Sequence, residues 1–143
     1  MNLMNTKNTF VVLQDVFLLL VRVAVSFAML SHGYPKLQKL LEGGDIEFYN
    51  FLGLNSTITL TLVVFTELVC SIFLILGLFT RWATFFLLAT MAFAVFIYHS
   101  GDAFEKKELG ILYLSVYLLL FVFKAGKYSV DAMITKRKES RAW

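Results

Sequence analysis

An almost unbroken apolar run from Ile58 to Phe79 contains a single carboxylate, that of Glu67. A helix rises about 1.5 Å per residue, so this run is long enough to cross a hydrocarbon core of about 30 Å. Glu67 would then lie near the middle of the bilayer, where a charged side chain costs about 2.5–3.5 kcal/mol on insertion scales. We therefore expect a second polar group to compensate this carboxylate.

The composition of the chain points to an integral membrane protein. Of its 143 residues, 59% are hydrophobic and 16% are charged, and the mean hydropathy of +0.74 is far above that of an ordinary soluble domain. We predict an all-α fold, a bundle of four transmembrane helices in a single membrane domain over residues 1–143, with a short interfacial segment between the first two helices. The spans are predicted at residues 13–31, 58–79, 82–98 and 108–123.

The basic residues indicate how these spans are oriented. With four spans, the two termini and the turn at Arg81 share one side of the membrane, which holds eight basic residues, whereas the other side holds four. Four of the eight lie in the basic tail, residues 132–143. Basic loops stay in the cytoplasm, so we predict a multi-pass protein of the cell (inner) membrane with both termini cytoplasmic. In such a protein a basic cluster indicates topology rather than nucleic-acid binding.

Arg22 is the basic residue inside the first predicted span. Gly33 and Pro35 are expected to end this helix at the membrane surface. With that boundary, Arg22 and Glu67 lie about nine residues into two antiparallel helices and so at nearly the same depth. A guanidinium facing lipid is unfavourable, so we predict an ion pair between Arg22 and Glu67. Two roles stay open for it: it holds the helices in register only, or it forms the polar floor of a cavity.

A second polar group is predicted at the outer ends of the spans. His32 ends the first span, Lys36 follows one helical turn later, His99 ends the third span and Glu108 opens the fourth. Imidazole groups hydrogen-bond quinone carbonyls, bind metals and exchange protons near neutral pH. The histidines and the carboxylate do not follow each other at the i, i+3 or i, i+4 spacing of metal ligands, so we predict no metal site and favour a hydrogen-bonded polar lid.

Cys70 is the only cysteine. An intramolecular disulfide, a C-x-x-C redox pair and a cysteine-rich metal site are therefore excluded. Away from an electropositive site, a cysteine in a membrane helix behaves as a small, unreactive hydrophobic residue. Redox chemistry would thus need a cofactor or donor from outside the chain.

The order and spacing of these residues resemble the DoxX family of small four-helix membrane proteins, over about residues 16–131. The resemblance is carried by Arg22, His32, Gly33, Lys36, Glu67, Gly77, Thr80, Arg81, Met91, His99, Glu108, Gly126, Ser129 and Asp131. It implies a four-helix bundle and quinone-linked redox work, because the family is named after a small membrane subunit of a thiosulfate to quinone oxidoreductase. The candidate ligand-binding residues are Arg22, His32, Lys36, Glu67, His99 and Glu108.

Two functions from different classes follow. The first is a quinone-interacting subunit of a membrane oxidoreductase, itself catalytic or not, which receives electrons from a partner subunit or a soluble donor. Quinone is then the expected cofactor, no cofactor is attached covalently, and no catalytic residue is identified. The second is a non-enzymatic binding or assembly factor whose buried ion pair is structural. Both readings place the protein in a lipid bilayer without nucleic acid, and both are compatible with a homo-oligomer.

Overall fold

A computed structural model describes residues 3–141 of the protein. It is all-α, as predicted, and no strand occurs in that range. The connector, residues 43–55, contains a 3-10 turn, Phe51–Gly53. The helices are α1 (Leu3–Glu42), α2 (Ser56–Leu76), α3 (Thr80–Tyr98), α4 (Phe104–Phe123) and α5 (Val130–Glu139).

Among residues 3–141, three helical segments are long and apolar enough to cross a membrane. They are Thr9–Glu42 in α1, Ser56–Leu76, which is all of α2, and Thr80–Tyr98, which is all of α3. The spans predicted in these three regions are therefore confirmed as apolar helices of sufficient length. The helix α4 has 20 residues, but four consecutive charged residues, 105–108, occupy its beginning. Its apolar part is correspondingly shorter.

The prediction that the first helix ends near Ser31 is wrong, because α1 continues through Gly33 and Pro35 to Glu42. A proline inside a helix removes one backbone donor, a loss that packing against neighbouring helices can offset. Gly33 provides such packing. A Cβ atom at this position would lie 2.7 Å from Cδ2 of Leu68 and 3.1 Å from Cβ of Glu67. Gly33, one of the two residues expected to break the helix, therefore lets α1 pack closely against α2.

The four longer helices pack around one apolar core. α1 packs against α2, α2 against α3, α3 against α4, and α4 against α1. Leu74, Leu87 and Leu120 are completely buried between them. On the outside, Phe27 and Phe96 are 61% and 67% exposed. Large apolar side chains on the outer surface are what a lipid environment favours and what water disfavours.

Two π turns interrupt the regular helices, Thr66–Cys70 in α2 and Ala94–Tyr98 in α3. Each one faces a glycine of a neighbouring helix. Gly33 lies against the first, and Gly110 of α4 lies against the second, where a Cβ atom would come within 2.6 Å of Cγ2 of Val95. Small residues allow such close helix contacts. Because π turns are rare and recur at functional sites, the region between these two turns is a candidate site.

At the opposite end of the core, α5 is tied to the turn between α2 and α3. The two carboxylate oxygens of Asp131 accept hydrogen bonds from the backbone N–H groups of Phe79 and Thr80, both at 2.9 Å. The N–H of Asp131 donates to the carbonyl of Gly77 at 2.9 Å. Asp131 thus occupies the N-terminus of α3, where a carboxylate is favourable.

We predict that Gly77→Ala lowers the free energy of unfolding by about 3 kcal/mol, through left-handed strain and steric overlap. Gly77 has a φ of +68°, and a Cβ atom there would lie 2.5 Å from Cβ of Ser129 and 2.8 Å from Nη1 of Arg22. Unfolding in detergent micelles measures the change. The matched control is Gly101→Ala, because nothing lies within 4 Å of a Cβ atom at Gly101. Equal stability of the two variants would contradict the assigned turn.

Candidate functional site

Glu67 lies in the π turn of α2 and is 2% exposed. Its Oε1 atom accepts a hydrogen bond from Nζ of Lys36, which forms an ion pair with it. Lys36 belongs to the part of α1 that continues beyond Pro35, and its side chain is 34% exposed. The polar partner that the sequence requires for Glu67 is therefore Lys36, a residue that also reaches the surface.

Arg22 does not pair with Glu67, so the predicted ion pair between them is wrong. Its side chain is 1% exposed, and its guanidinium donates from Nη1 to the carbonyl of Ala125 at 2.6 Å and from Nη2 to the carbonyl of Tyr128 at 2.7 Å. The helices pair so that Gly33 lies against Glu67 and Arg22 lies against Gly77. Arg22 is thus about three helical turns from Gly33 along α1, at the other end of the core.

Two adjoining cavities surround Glu67, with volumes of about 150 Å³ and 140 Å³. Both are lined by Lys36, Glu67, Ala94 and His99, and we call them together the Glu67 cavity. Its polar lining consists of His32, Lys36, Glu67, Thr90, Tyr98, His99, Lys106 and Tyr113.

Four of the six candidate residues come together in this cavity, namely His32, Lys36, Glu67 and His99. Arg22 lies at the opposite end, as described above. Glu108 is exposed on α4 and does not line either part of the cavity. The role of the candidate residues in ligand binding stays a prediction.

The second carboxylate oxygen of Glu67, Oε2, is buried and has no hydrogen-bond partner among the described residues. Buried carboxylate oxygens are almost always hydrogen-bonded, so this atom can accept a hydrogen bond from water or from a bound molecule. Tyr113, which the sequence analysis missed, lines the same cavity. Its ring meets the ring of His32 edge-on, with centroids 5.7 Å apart. The cavity therefore offers an acceptor and a hydroxyl donor beside an imidazole.

His99 is oriented by Asp102, a second residue that sequence reasoning missed. Nδ1 of His99 lies 2.7 Å from Oδ2 of Asp102. The hydrogen bond from His99 holds the pKa of the Asp102 carboxyl below its usual value, with help from the charge of Lys106. Because a carboxylate only accepts hydrogen bonds, Nδ1 carries the hydrogen, and Nε2 of a neutral His99 is left as an acceptor. The His-x-x-Asp spacing is the sequence signal that could have revealed this pair.

The connector covers one side of the cavity with aromatic rings. Phe48 lines the cavity and stacks on Tyr98 at 5.8 Å, and Phe51 meets Phe93 edge-on at 4.7 Å. The hydroxyl of Ser56 donates to the carbonyl of Phe48 at 2.9 Å and holds this segment in place. The interfacial segment predicted between the first two helices thus packs onto α3 and shields the Glu67–Lys36 pair.

Comparisons with known proteins identify the family of the chain. The model of the DoxX family matches residues 17–100. A protein of Haemophilus influenzae described as uncharacterized is 35% identical over 132 residues, which cover 85% of this chain and 92% of the relative. No solved structure matches the chain.

The family match covers α2 and α3 completely together with most of α1, and with them Lys36, Glu67 and His99. The chain belongs to the DoxX family and is a membrane protein. The resemblance stated from the order of its polar residues is confirmed.

A double-mutant cycle tests which cation compensates Glu67. We predict a coupling energy of about 2 kcal/mol between Lys36→Met and Glu67→Gln, because each single variant leaves one member of a partly desolvated pair alone. Denaturant unfolding in micelles measures the free energies of unfolding of the wild type, the two single variants and the double variant.

The control cycle combines Arg22→Lys with Glu67→Gln. These effects should add within about 0.5 kcal/mol, since the two residues share no partner. Strong coupling in the control cycle, with none in the first, would show that Arg22 and not Lys36 compensates Glu67.

Proposed function

We propose that this DoxX protein is a quinone-interacting subunit of a membrane oxidoreductase and that the Glu67 cavity holds the quinone headgroup. The observation that carries the proposal is Oε2 of Glu67, a buried acceptor without a partner among the described residues, in a cavity that also contains His99 and Tyr113. Intramembrane ionisable residues mark ligand and proton sites more often than they mark packing.

The size of the cavity favours a single ring. Each part, at about 150 Å³ and 140 Å³, is smaller than the roughly 300–1,000 Å³ of sites for drug-sized ligands. A ring headgroup can enter, while an isoprenoid tail has to stay outside. Leu109 lines the cavity and is 49% exposed. It offers an apolar rim along which a tail would pass into the lipid.

The polar groups of the cavity match both redox forms of a quinone. The hydroxyl of Tyr113 and the ammonium of Lys36 can donate to carbonyl oxygens, whereas Nε2 of His99 and Oε2 of Glu67 can accept from hydroxyl groups. A bound quinone supplies two-electron chemistry in which two protons are taken up on reduction and released on oxidation. The side chains of Lys36 and His99 are 34% and 29% exposed, so they lie between the buried Glu67 and the solvent. The electrons come from a partner subunit or a soluble donor.

A non-enzymatic role is the second candidate, and the ion pair itself favours it. Lys36 already occupies Oε1 of Glu67. In this second role the pair is purely structural and fixes the register of α1 against α2. The double variant Lys36→Met/Glu67→Leu separates the two functions. A folded double variant that keeps its cellular phenotype supports the assembly role and contradicts the quinone role.

The orientation proposed with this function has all four longer helices crossing the cell (inner) membrane and both termini in the cytoplasm. Beyond its charged beginning, α4 is apolar from Leu109 to Phe123, about 22 Å at the helical rise. The Glu67 cavity then opens toward the outer face. The basic residues that follow α4 lie on the cytoplasmic face, in agreement with the distribution of positive charge in membrane proteins.

We predict that a cysteine introduced by Asp45→Cys is labelled by an impermeant maleimide in intact cells, whereas one introduced by Ser140→Cys is labelled only after permeabilisation. Both positions are exposed, and the background is Cys70→Ala, which removes the only native thiol. If α4 does not cross, Ser140→Cys is labelled in intact cells as well, and the four-span topology is wrong.

We predict that gently purified protein retains about one quinone per chain and that Glu67→Gln lowers this retention at least about tenfold. A hydrogen bond to a charged group contributes about 1.5–3 kcal/mol, which corresponds to that factor or more in affinity. Lipid extraction followed by mass spectrometry measures the ratio. The control is Glu108→Gln, which removes an exposed carboxylate of α4 outside the cavity. Wild-type protein that retains lipid but no quinone would contradict the proposal.

A further inference from the structure

A groove separate from the Glu67 cavity lies at the other end of the helices. It has a volume of about 680 Å³ and is bounded by the start of α3, the end of α4, the loop of residues 124–129 and α5. We call it the tail groove. Its charged lining residues are the cations Arg81, Lys124, Lys127 and Lys136 and the carboxylates Asp131 and Glu139.

The positive charge of the tail groove is largely uncompensated. None of its four cations forms an ion pair within the described part of the chain. Asp131 is occupied by the backbone N–H groups of Phe79 and Thr80, which leaves Glu139 as the carboxylate without such a partner. Four cations facing two carboxylates make the groove attractive to an anion.

Two local features also point to a ligand. Thr80 is one of the residues that line the groove, it is 1% exposed, and its buried Oγ1 has no hydrogen-bond partner among residues 3–141. Lys124 has φ +64° and ψ −161°, a conformation that costs a residue with a side chain about 1–3 kcal/mol and recurs at ligand sites. A groove without a ligand would leave both the unpaired hydroxyl of Thr80 and the strained backbone of Lys124 unexplained.

The position of the tail groove indicates the class of anion. Arg81 is the second residue of α3 and Lys124 directly follows α4, so both lie where helices leave the hydrocarbon core. Phe123 beside them is 52% exposed, and Met133 of α5 is 63% exposed. Cations next to exposed apolar side chains at this depth suit a molecule with a phosphate group and acyl chains.

We propose that the tail groove binds a phosphate-bearing anion, supplied by the headgroup of an anionic phospholipid of the membrane. Arg81, Lys124 and Lys136 provide the charge, and the hydroxyl of Thr80 provides a neutral donor. This binding ties α5 to the membrane surface through its basic side chains. The proposal does not depend on quinone binding at the Glu67 cavity.

The test measures which lipids remain bound to the full-length protein. The protein is reconstituted in vesicles of equal parts phosphatidylglycerol and phosphatidylcholine, extracted with mild detergent, and its retained lipids are quantified by mass spectrometry. We expect the wild-type protein to retain phosphatidylglycerol in preference to phosphatidylcholine. The variant Arg81→Gln/Lys124→Gln/Lys136→Gln should lose this preference by at least about tenfold.

The matched control is Arg137→Gln/Lys138→Gln/Arg141→Gln, which removes the same charge from exposed residues that do not line the groove. It should retain the preference. Equal losses in both triple variants would overturn the proposal, because the attraction would then come from general basic charge. Thr80→Val, which removes only the hydroxyl, should weaken the preference without changing charge, and a fully retained preference in this variant would contradict the assigned donor.

Inorganic phosphate distinguishes the source of the anion. If the site takes a lipid, millimolar phosphate leaves the retained phosphatidylglycerol unchanged. If phosphate displaces the lipid and raises the unfolding temperature of the wild type but not of the groove variant, the groove takes a soluble phosphate, and the lipid assignment is overturned.

Discussion

A carboxylate buried between apolar helices has to be compensated, and in this protein the ion pair of Glu67 with Lys36 meets that requirement. Several features of the fold serve this contact. α1 continues through Pro35 and so carries Lys36 to the carboxylate, Gly33 removes the side chain that would hold the helices apart, and a π turn in α2 contains Glu67. Oε2 of Glu67 has no partner within the described part of the chain, so the same contact that holds α1 against α2 leaves an acceptor for a ligand.

The opposite end of the core is held by a different set of polar contacts. Arg22 donates to the backbone carbonyls of Ala125 and Tyr128 after α4, and Asp131 accepts from the N-terminus of α3. Ala125 and Tyr128 belong to the loop between α4 and α5, and the N–H groups at the start of α3 have no partner within their own helix, so the two side chains bind backbone groups that the helices leave unpaired. Each end of the molecule is therefore joined by charged side chains, while apolar packing fills the space between them. The two candidate ligand sites lie beside these polar contacts.

Part of the site could be predicted from the sequence because depth along a helix can be counted. His32, Lys36 and His99 fall near one membrane surface by this count, and the structure brings them together with Glu67, which the count places near the middle of the bilayer. Depth alone misplaced Arg22, because the count began from a helix assumed to end at Ser31. Glu108 lies at a suitable depth but on an exposed face of α4. Rotation about the helix axis, which depth does not specify, decides which side chains meet.

The sequence by itself determined that the protein is all-α, that it is a membrane protein of the DoxX family and that Glu67 needs a polar partner. These follow from hydropathy, from the order of polar residues and from the cost of burying charge, all of which are local properties. Only the tertiary structure decided which cation is that partner, that Asp102 orients His99, and that the basic residues near Lys124 surround a groove. These contacts join residues from different helices or depend on turn geometry, so they are set by the register and rotation of packed helices, which local sequence does not encode.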